Sequence, residues 1–175
     1  MIRAKFLLSI QMTCFCFGVE QVSPPWGFVF DDWIGDPLEV IVYIPAGAHK
    51  NTKILMVVPG ASRDTQRFHA SWLSFAKEDT FAVVTIGASK KYFPDEFSYN
   101  AGNVITSNGN SVDSSLWLFA AIEKVFQSVK KRYGLETEKF YLFGHSAGGG
   151  FVHRYMLFMP DAPVKKAVAA NPAFV

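Results

Sequence analysis

The segment Phe140–Met159, FYLFGHSAGGGFVHRYMLFM, leaves the chain few ways to fold. Four apolar residues, Phe140 to Phe143, follow the polar GLETEK and read as a strand buried on both faces of a parallel sheet. Gly144-His145-Ser146-Ala147-Gly148 comes next, a match to G-x-S-x-G. A chain turning this sharply from strand to helix strains the backbone of the central serine, and side chains two residues to either side would collide with the turn. Glycine at 144 and at 148 removes both collisions. Phe151, Tyr155, Leu157 and Phe158 then recur at roughly helical spacing up to Pro160. Ser146 is therefore expected at a helix N-terminus with its hydroxyl exposed, where free N–H groups favour negative charge.

Upstream, Trp26–Phe30 and Leu38–Ile44 read as strands joined through a Gly/Pro-containing turn at 31–37, which predicts an antiparallel hairpin. Lys53–Val58 is a third strand, apolar enough to be central. Phe68, Trp72, Phe75 and Ala76 predict a helix over Gln66–Lys77, and Phe81–Ile86 is the next strand, so strand, helix and strand form a right-handed crossover. The segment 87–113 is long, rich in Gly, Ser and Asn, and carries Tyr92, Phe93, Phe97 and Tyr99. Following a parallel strand, it falls on the edge where α/β sheets bind ligands, and pocket lining is favoured over simple anchoring. Phe119, Ile122, Phe126, Val129 and Tyr133 predict a core-facing helix over Ser114–Tyr133, with Gly134 as its C-cap. Val164–Ala170 reads as a sixth strand.

The 175 residues, 50% hydrophobic and 15% aromatic, suit one globular domain and exclude disordered and fibrous classes. A net charge of +2, with no basic cluster interleaved with aromatics, does not point to nucleic acid. Lys130, Lys131 and Arg132 fall in the last turn of the predicted helix, where cations suit its dipole. At the N-terminus, Arg3 and Lys5 precede Phe6-Leu7-Leu8-Ser9-Ile10, and Cys16-Phe17-Gly18 offers a cleavage site. Residues 1–18 accordingly read as a secretory signal peptide, which places the mature protein outside the cell or in the periplasm. Both cysteines, Cys14 and Cys16, lie in that stretch, so neither a disulfide framework nor a cysteine metal site is expected. The apolar run is also too short for a stable membrane span.

The elbow segment with its GHSAGG wording resembles the nucleophile elbow of the α/β-hydrolase superfamily. Together with the PGAS-R loop, FP...YNAGNV, GHSAGGGFVHRYMLFMP and AVAANP, it is similar to secreted or periplasmic bacterial esterases related to polyhydroxybutyrate depolymerases and feruloyl esterases. The resemblance runs from about Trp26 to the C-terminus. It implies an α/β-hydrolase fold: a mostly parallel sheet with helices on both faces and an N-terminal antiparallel hairpin. It also implies hydrolysis of a small-molecule or polymeric ester through an acyl-enzyme on Ser146, with no metal or organic cofactor. The oxyanion donors of that fold map onto the backbone N–H of Ala147 and of Ala61, and the elbow glycines onto Gly144 and Gly148. Pro59 stands where many relatives carry histidine before the loop glycine.

A serine of this kind needs a histidine base held by a carboxylate, in the chain order Ser, Asp or Glu, His. Downstream of Ser146 the sequence offers His153 and Asp161 alone. His153 lies two helical turns on, about 10 Å away by the helical rise. His145 should point away across the elbow, His49 falls on the opposite sheet edge, His69 belongs to the first helix, and Asp161 reads as a solvated turn residue. The expectation is a truncated chain whose last strands, triad carboxylate and triad histidine lie beyond Val175, leaving the 175-residue form poorly soluble and hydrolytically weak. Two other functions fit the scaffold: a serine peptidase of the prolyl-oligopeptidase kind, and a non-catalytic binding module.

Overall fold

A computed structural model describes residues 26–172. The segment read as a signal peptide, with both cysteines, lies outside the described residues. The strands are β1 (Trp26–Phe30), β2 (Leu38–Tyr43), β3 (Ile54–Val58), β4 (Ala82–Gly87), β5 (Phe140–His145) and β6 (Val164–Ala170). They form one sheet in the order β1-β2-β4-β3-β5-β6. β1 pairs antiparallel with β2, and β2 antiparallel with β4, whereas β4, β3, β5 and β6 run parallel. The mostly parallel sheet, the N-terminal hairpin and the central β3 are those expected from the sequence.

Period-two alternation divides the core between the two faces of the sheet. Ile54, Met56 and Val58 of β3, Ala82, Val84 and Ile86 of β4, and Phe140 and Leu142 of β5 pack on one side. They meet α3 (Leu118–Tyr133) and α4 (Ala147–Phe158), which contribute Phe119, Ile122, Phe126, Phe151 and Tyr155. Leu55, Val57, Val83 and Phe143 face the other side, against Phe68, Trp72 and Ala76. Those three come from the α1–α2 segment, α1 spanning Thr65–Ala70 and α2 Leu73–Glu78.

The single helix expected over Gln66–Lys77 is therefore two. The Ser71 hydroxyl donates to the Phe68 carbonyl at 2.8 Å and the Trp72 N–H to the His69 carbonyl at 3.1 Å, three residues back instead of four. This local back-bonding tightens the turn and lets Trp72 set its ring edge-to-face on Phe143 at 4.9 Å. α3 also starts later than expected: Ser114–Leu116 is a separate 3-10 turn capped by Asp113, and Trp117 is extended. Gly134 ends α3 in the left-handed conformation, φ 64°.

α1 lies against β4 through His69, whose Nδ1 is 3.0 Å from the Thr85 hydroxyl, while its Nε2 is buried with no hydrogen-bond partner. Burial lowers the imidazole pKa to about 4. The unfolded chain, with an ordinary value near 6.5, binds the proton more readily. Stability from this group is thus complete above about pH 6.5 and falls as pH drops through 4, by up to about 3 kcal/mol. Urea midpoints measured from pH 7.5 to 4 should show this loss, and His69→Gln should flatten it; equal slopes for the two proteins would remove His69 as the cause.

β6 forms the sheet edge and, among the described residues, pairs with β5 alone. Lys165, Lys166, Ala167 and Val168 are exposed along it, as are Leu157 and Phe158 at the end of α4.

Candidate active site

Ser146 stands between β5 and α4 with φ 56° and ψ −120°, a backbone conformation that non-glycine residues rarely adopt. It is held there from both sides. Its N–H donates to the Ala170 carbonyl at the end of β6 at 2.9 Å, and its own carbonyl accepts the first helical bond, from Gly150, at 2.9 Å. The residue is half-exposed, and its hydroxyl makes no capping bond to α4. A serine at a helix start ordinarily spends its oxygen on the amides of the first turn. Here the strained backbone leaves Oγ out of that role.

The elbow closes because two glycines let backbone meet backbone. A Cβ on Gly144 would fall on the Gly148 carbonyl and within 2.9 Å of Val152 Cγ2. One on Gly148 would fall on the Val58 carbonyl oxygen and within 2.5 Å of that of Pro59. The start of α4 is thus pressed onto the C-terminal end of β3.

The loop after β3 reaches the serine. A Cβ placed on Gly60 would lie 3.3 Å from the His145 carbonyl oxygen and 3.6 Å from Ser146 Cβ. Residues 60–63 form a turn closed by the Arg63 N–H donating to the Gly60 carbonyl at 3.0 Å. Ala61 is exposed at the corner of this turn, and among the described residues its N–H has no acceptor within the protein. Ala147 is the first residue of α4, so its N–H precedes the reach of the helical ladder. Two unengaged amides and the positive end of the α4 dipole therefore neighbour the serine, and α4 has no acidic residue in its first turn.

The four histidines lie elsewhere or face elsewhere. His49 precedes β3, at the sheet edge opposite Ser146. His69 is buried against Thr85. His145 is exposed, with its ring 6.4 Å from that of Phe68. His153 lies two turns along α4. Asp161 is exposed between α4 and β6.

For Phe93 and Tyr99 the structure corrects the expectation that the aromatic residues of 87–113 line a pocket. Phe93 and Tyr99 are 3% and 1% exposed and belong to the core, because this segment must cross over the α3 side of the sheet and burying rings is how it is held there. Gly102, at φ 73°, sits where a side chain would enter the Phe119 ring, and the Leu118 N–H donates to its carbonyl at 2.8 Å. Tyr92 and Phe97 are half-buried.

One group near the serine escaped the sequence reading. The Tyr99 hydroxyl donates to the Pro59 carbonyl, and the Arg63 guanidinium lies 3.3 Å above the Tyr99 ring while donating to the Ala88 carbonyl at 2.8 Å. Burial raises the Tyr99 phenol above its ordinary range, so it stays a neutral donor, and burial lowers the Arg63 pKa against the opposing pull of Tyr99 and Asp95. PGAS-R and YNAGN are visible in the sequence, but nothing local in either reports that they touch.

No protein-family model and no curated sequence matches the chain. Among solved structures it is similar to poly(aspartic acid) hydrolase-1 from Sphingomonas sp. KT-1, with 38% identity and a TM-score of 0.82 over 85% of this chain and 56% of that one. It is also similar to LpqC, a poly(3-hydroxybutyrate) depolymerase from Bordetella parapertussis, with 30% identity and a TM-score of 0.79 over 86% of this chain and 53% of that one. S-formylglutathione hydrolase (FrmB) from Staphylococcus aureus shares the fold, at 21% identity and a TM-score of 0.61, over 86% of this chain and 58% of that one. The chain spans about half the length of the solved structures it matches.

Proposed function

The chain belongs to the α/β-hydrolase superfamily, and from this we infer that it hydrolyses carboxylic esters through an acyl-enzyme on Ser146. The observation that carries the reading is the serine itself: strained, uncapped, at a helix start, with the Gly60–Ala61 turn packed against it. In this reaction Oγ loses its proton to a base and attacks the ester carbonyl carbon. The carbonyl oxygen becomes an anion held by the N–H groups of Ala147 and Ala61. Collapse expels the alcohol, and water, deprotonated by the same base, releases the acid.

None of the four histidines suits the base, for the positions described above. We assign the base and its carboxylate to sequence outside these 175 residues, consistent with a chain spanning about half of the structures it resembles. Residues 1–18 are the secretory signal in this reading, and 19–175 the N-terminal portion of the hydrolase domain. Among the described residues, no helix is long and apolar enough to cross a membrane.

The two more similar structures act, by name, on polymers: one on poly(aspartic acid), the other on poly(3-hydroxybutyrate). The polyester supports an ester substrate. The higher identity to the poly(aspartic acid) hydrolase favours a second reading, cleavage of amide links, which would come closer to a peptidase.

The test is covalent labelling. In the protein of the complete reading frame, a fluorophosphonate should attach to Ser146, located by peptide mass spectrometry, and p-nitrophenyl butyrate should be turned over; Ser146→Ala should lose both. Absence of label at Ser146 in the intact protein would favour a binding module and overturn the hydrolase reading. Parallel assays on poly(3-hydroxybutyrate) and poly(aspartic acid) separate ester from amide specificity.

A further inference from the structure

We propose that Tyr99 and Arg63 are positioning residues for the turn at 60–63, together fixing where the Ala61 amide stands relative to Ser146. The inference rests on the serine-hydrolase reading and adds to it the device that holds the oxyanion donor.

Both ends of the turn are tied to one buried ring. At its entrance, the carbonyl of Pro59 accepts the Tyr99 hydroxyl from forty residues away. At its exit, the Arg63 guanidinium carbon lies over the same ring, 3.3 Å from the centroid, and its Nη1 donates to the Ala88 carbonyl just after β4. Between these ties are Gly60, which packs on Ser146, and Ala61. A four-residue turn fixed at both ends has little freedom left, and its corner amide keeps one direction.

Arg63 carries two features that a plain surface turn would not need. Its backbone is left-handed, φ 58°, unusual for a residue other than glycine or asparagine. Its Nε is buried with no hydrogen-bond partner. Each is unfavourable alone. Both accompany a guanidinium that sits over Tyr99 and reaches Ala88 at once, and an ammonium lacks the planar fork that serves the two contacts together. Tyr99 in turn is locked by the core, its ring 6.2 Å from that of Phe151 on the helix that begins at the elbow. The ring that sets the turn thus packs on the helix that follows Ser146.

Three variants of the intact protein test this: Tyr99→Phe, which keeps the ring and removes the bond to Pro59; Arg63→Lys, which keeps the charge and removes the stack; and the double variant. Each single change is expected to lower kcat for p-nitrophenyl butyrate about 10- to 100-fold, part of the 10²- to 10³-fold that loss of an oxyanion donor carries. KM should change less than about threefold. Affinity for a trifluoromethyl ketone, which forms the oxyanion on Ser146, should fall in step with kcat/KM, and the double variant should lose less than the product of the singles.

A merely structural role would lower the melting temperature and leave kcat of the folded fraction unchanged. Folded single variants with kcat within twofold of wild type would overturn the inference. If Tyr99→Phe does not fold, Arg63→Lys alone decides by the same kcat and ketone readouts. A wild-type protein that neither labels at Ser146 nor turns over ester overturns the hydrolase reading instead.

Discussion

Ser146→Gly is expected to lose ester turnover by roughly 10⁴-fold or more, as removal of a nucleophile does, and yet to unfold at a higher temperature than Ser146→Ala. Both variants lack the hydroxyl, so they should be equally inactive. They differ in what φ 56°, ψ −120° demands of them. Alanine keeps the Cβ and with it the strain, worth about 1 to 3 kcal/mol at a position of this kind. Glycine relieves the strain but gives up roughly 0.5 to 1 kcal/mol through its freer unfolded chain. The balance favours glycine by about 1 kcal/mol, or about 2 to 4 °C in a chain of this size. Thermal melts of the two variants beside wild type check it. A glycine variant melting at or below the alanine variant would mean that position 146 stores no strain.

Gly148→Ala should be severely damaging, as should Gly144→Ala, whose added carbon meets the Gly148 carbonyl. The new carbon at 148 would fall on the carbonyls of Val58 and Pro59, which are backbone at the end of a central strand and cannot rotate away. Relief requires α4 to lift off β3, carrying Ser146 away from the turn at 60–63. The expected destabilisation is about 3 kcal/mol or more, at the upper end of overpacking effects, with turnover lost even in molecules that fold. Gly134→Asn serves as the control. That glycine is left-handed, φ 64°, but has nothing within 4 Å of the added carbon, and asparagine tolerates the conformation. Its effect should stay below about 1 kcal/mol. Comparable urea midpoints for Gly148→Ala and Gly134→Asn would show that the contact between α4 and β3 yields more readily than its geometry suggests.

Which parts of this site were open to a reader of the sequence follows from the range of the forces involved. The elbow was, because its requirements are steric and close at hand: glycine two residues before and after the serine, an apolar run ahead, a helical rhythm behind. The central strands were, because a strand covered on both faces is apolar at nearly every position, and both faces of β3, β4 and β5 are covered. Helix ends fared less well. The break at Ser71–Trp72 came from a hydroxyl competing for a carbonyl and from the seating of one indole on Phe143. The late start of α3 came from a 3-10 turn capped by Asp113. Neither alters the apolar periodicity by which a helix is recognised.

The aromatic loop shows the boundary most clearly. Its length and composition said that it does something; they did not say that Tyr99 would be buried, or that its hydroxyl would end on Pro59. What the sequence determined alone was the bend at Ser146, since the clash that requires glycine at 144 is with the elbow's own backbone, whereas the glycine at 148 answers to the carbonyls of Val58 and Pro59. What the tertiary structure decided was which distant groups brace that bend, because a hydrogen bond across forty residues and a guanidinium lying on a ring leave no period and no local spacing behind them.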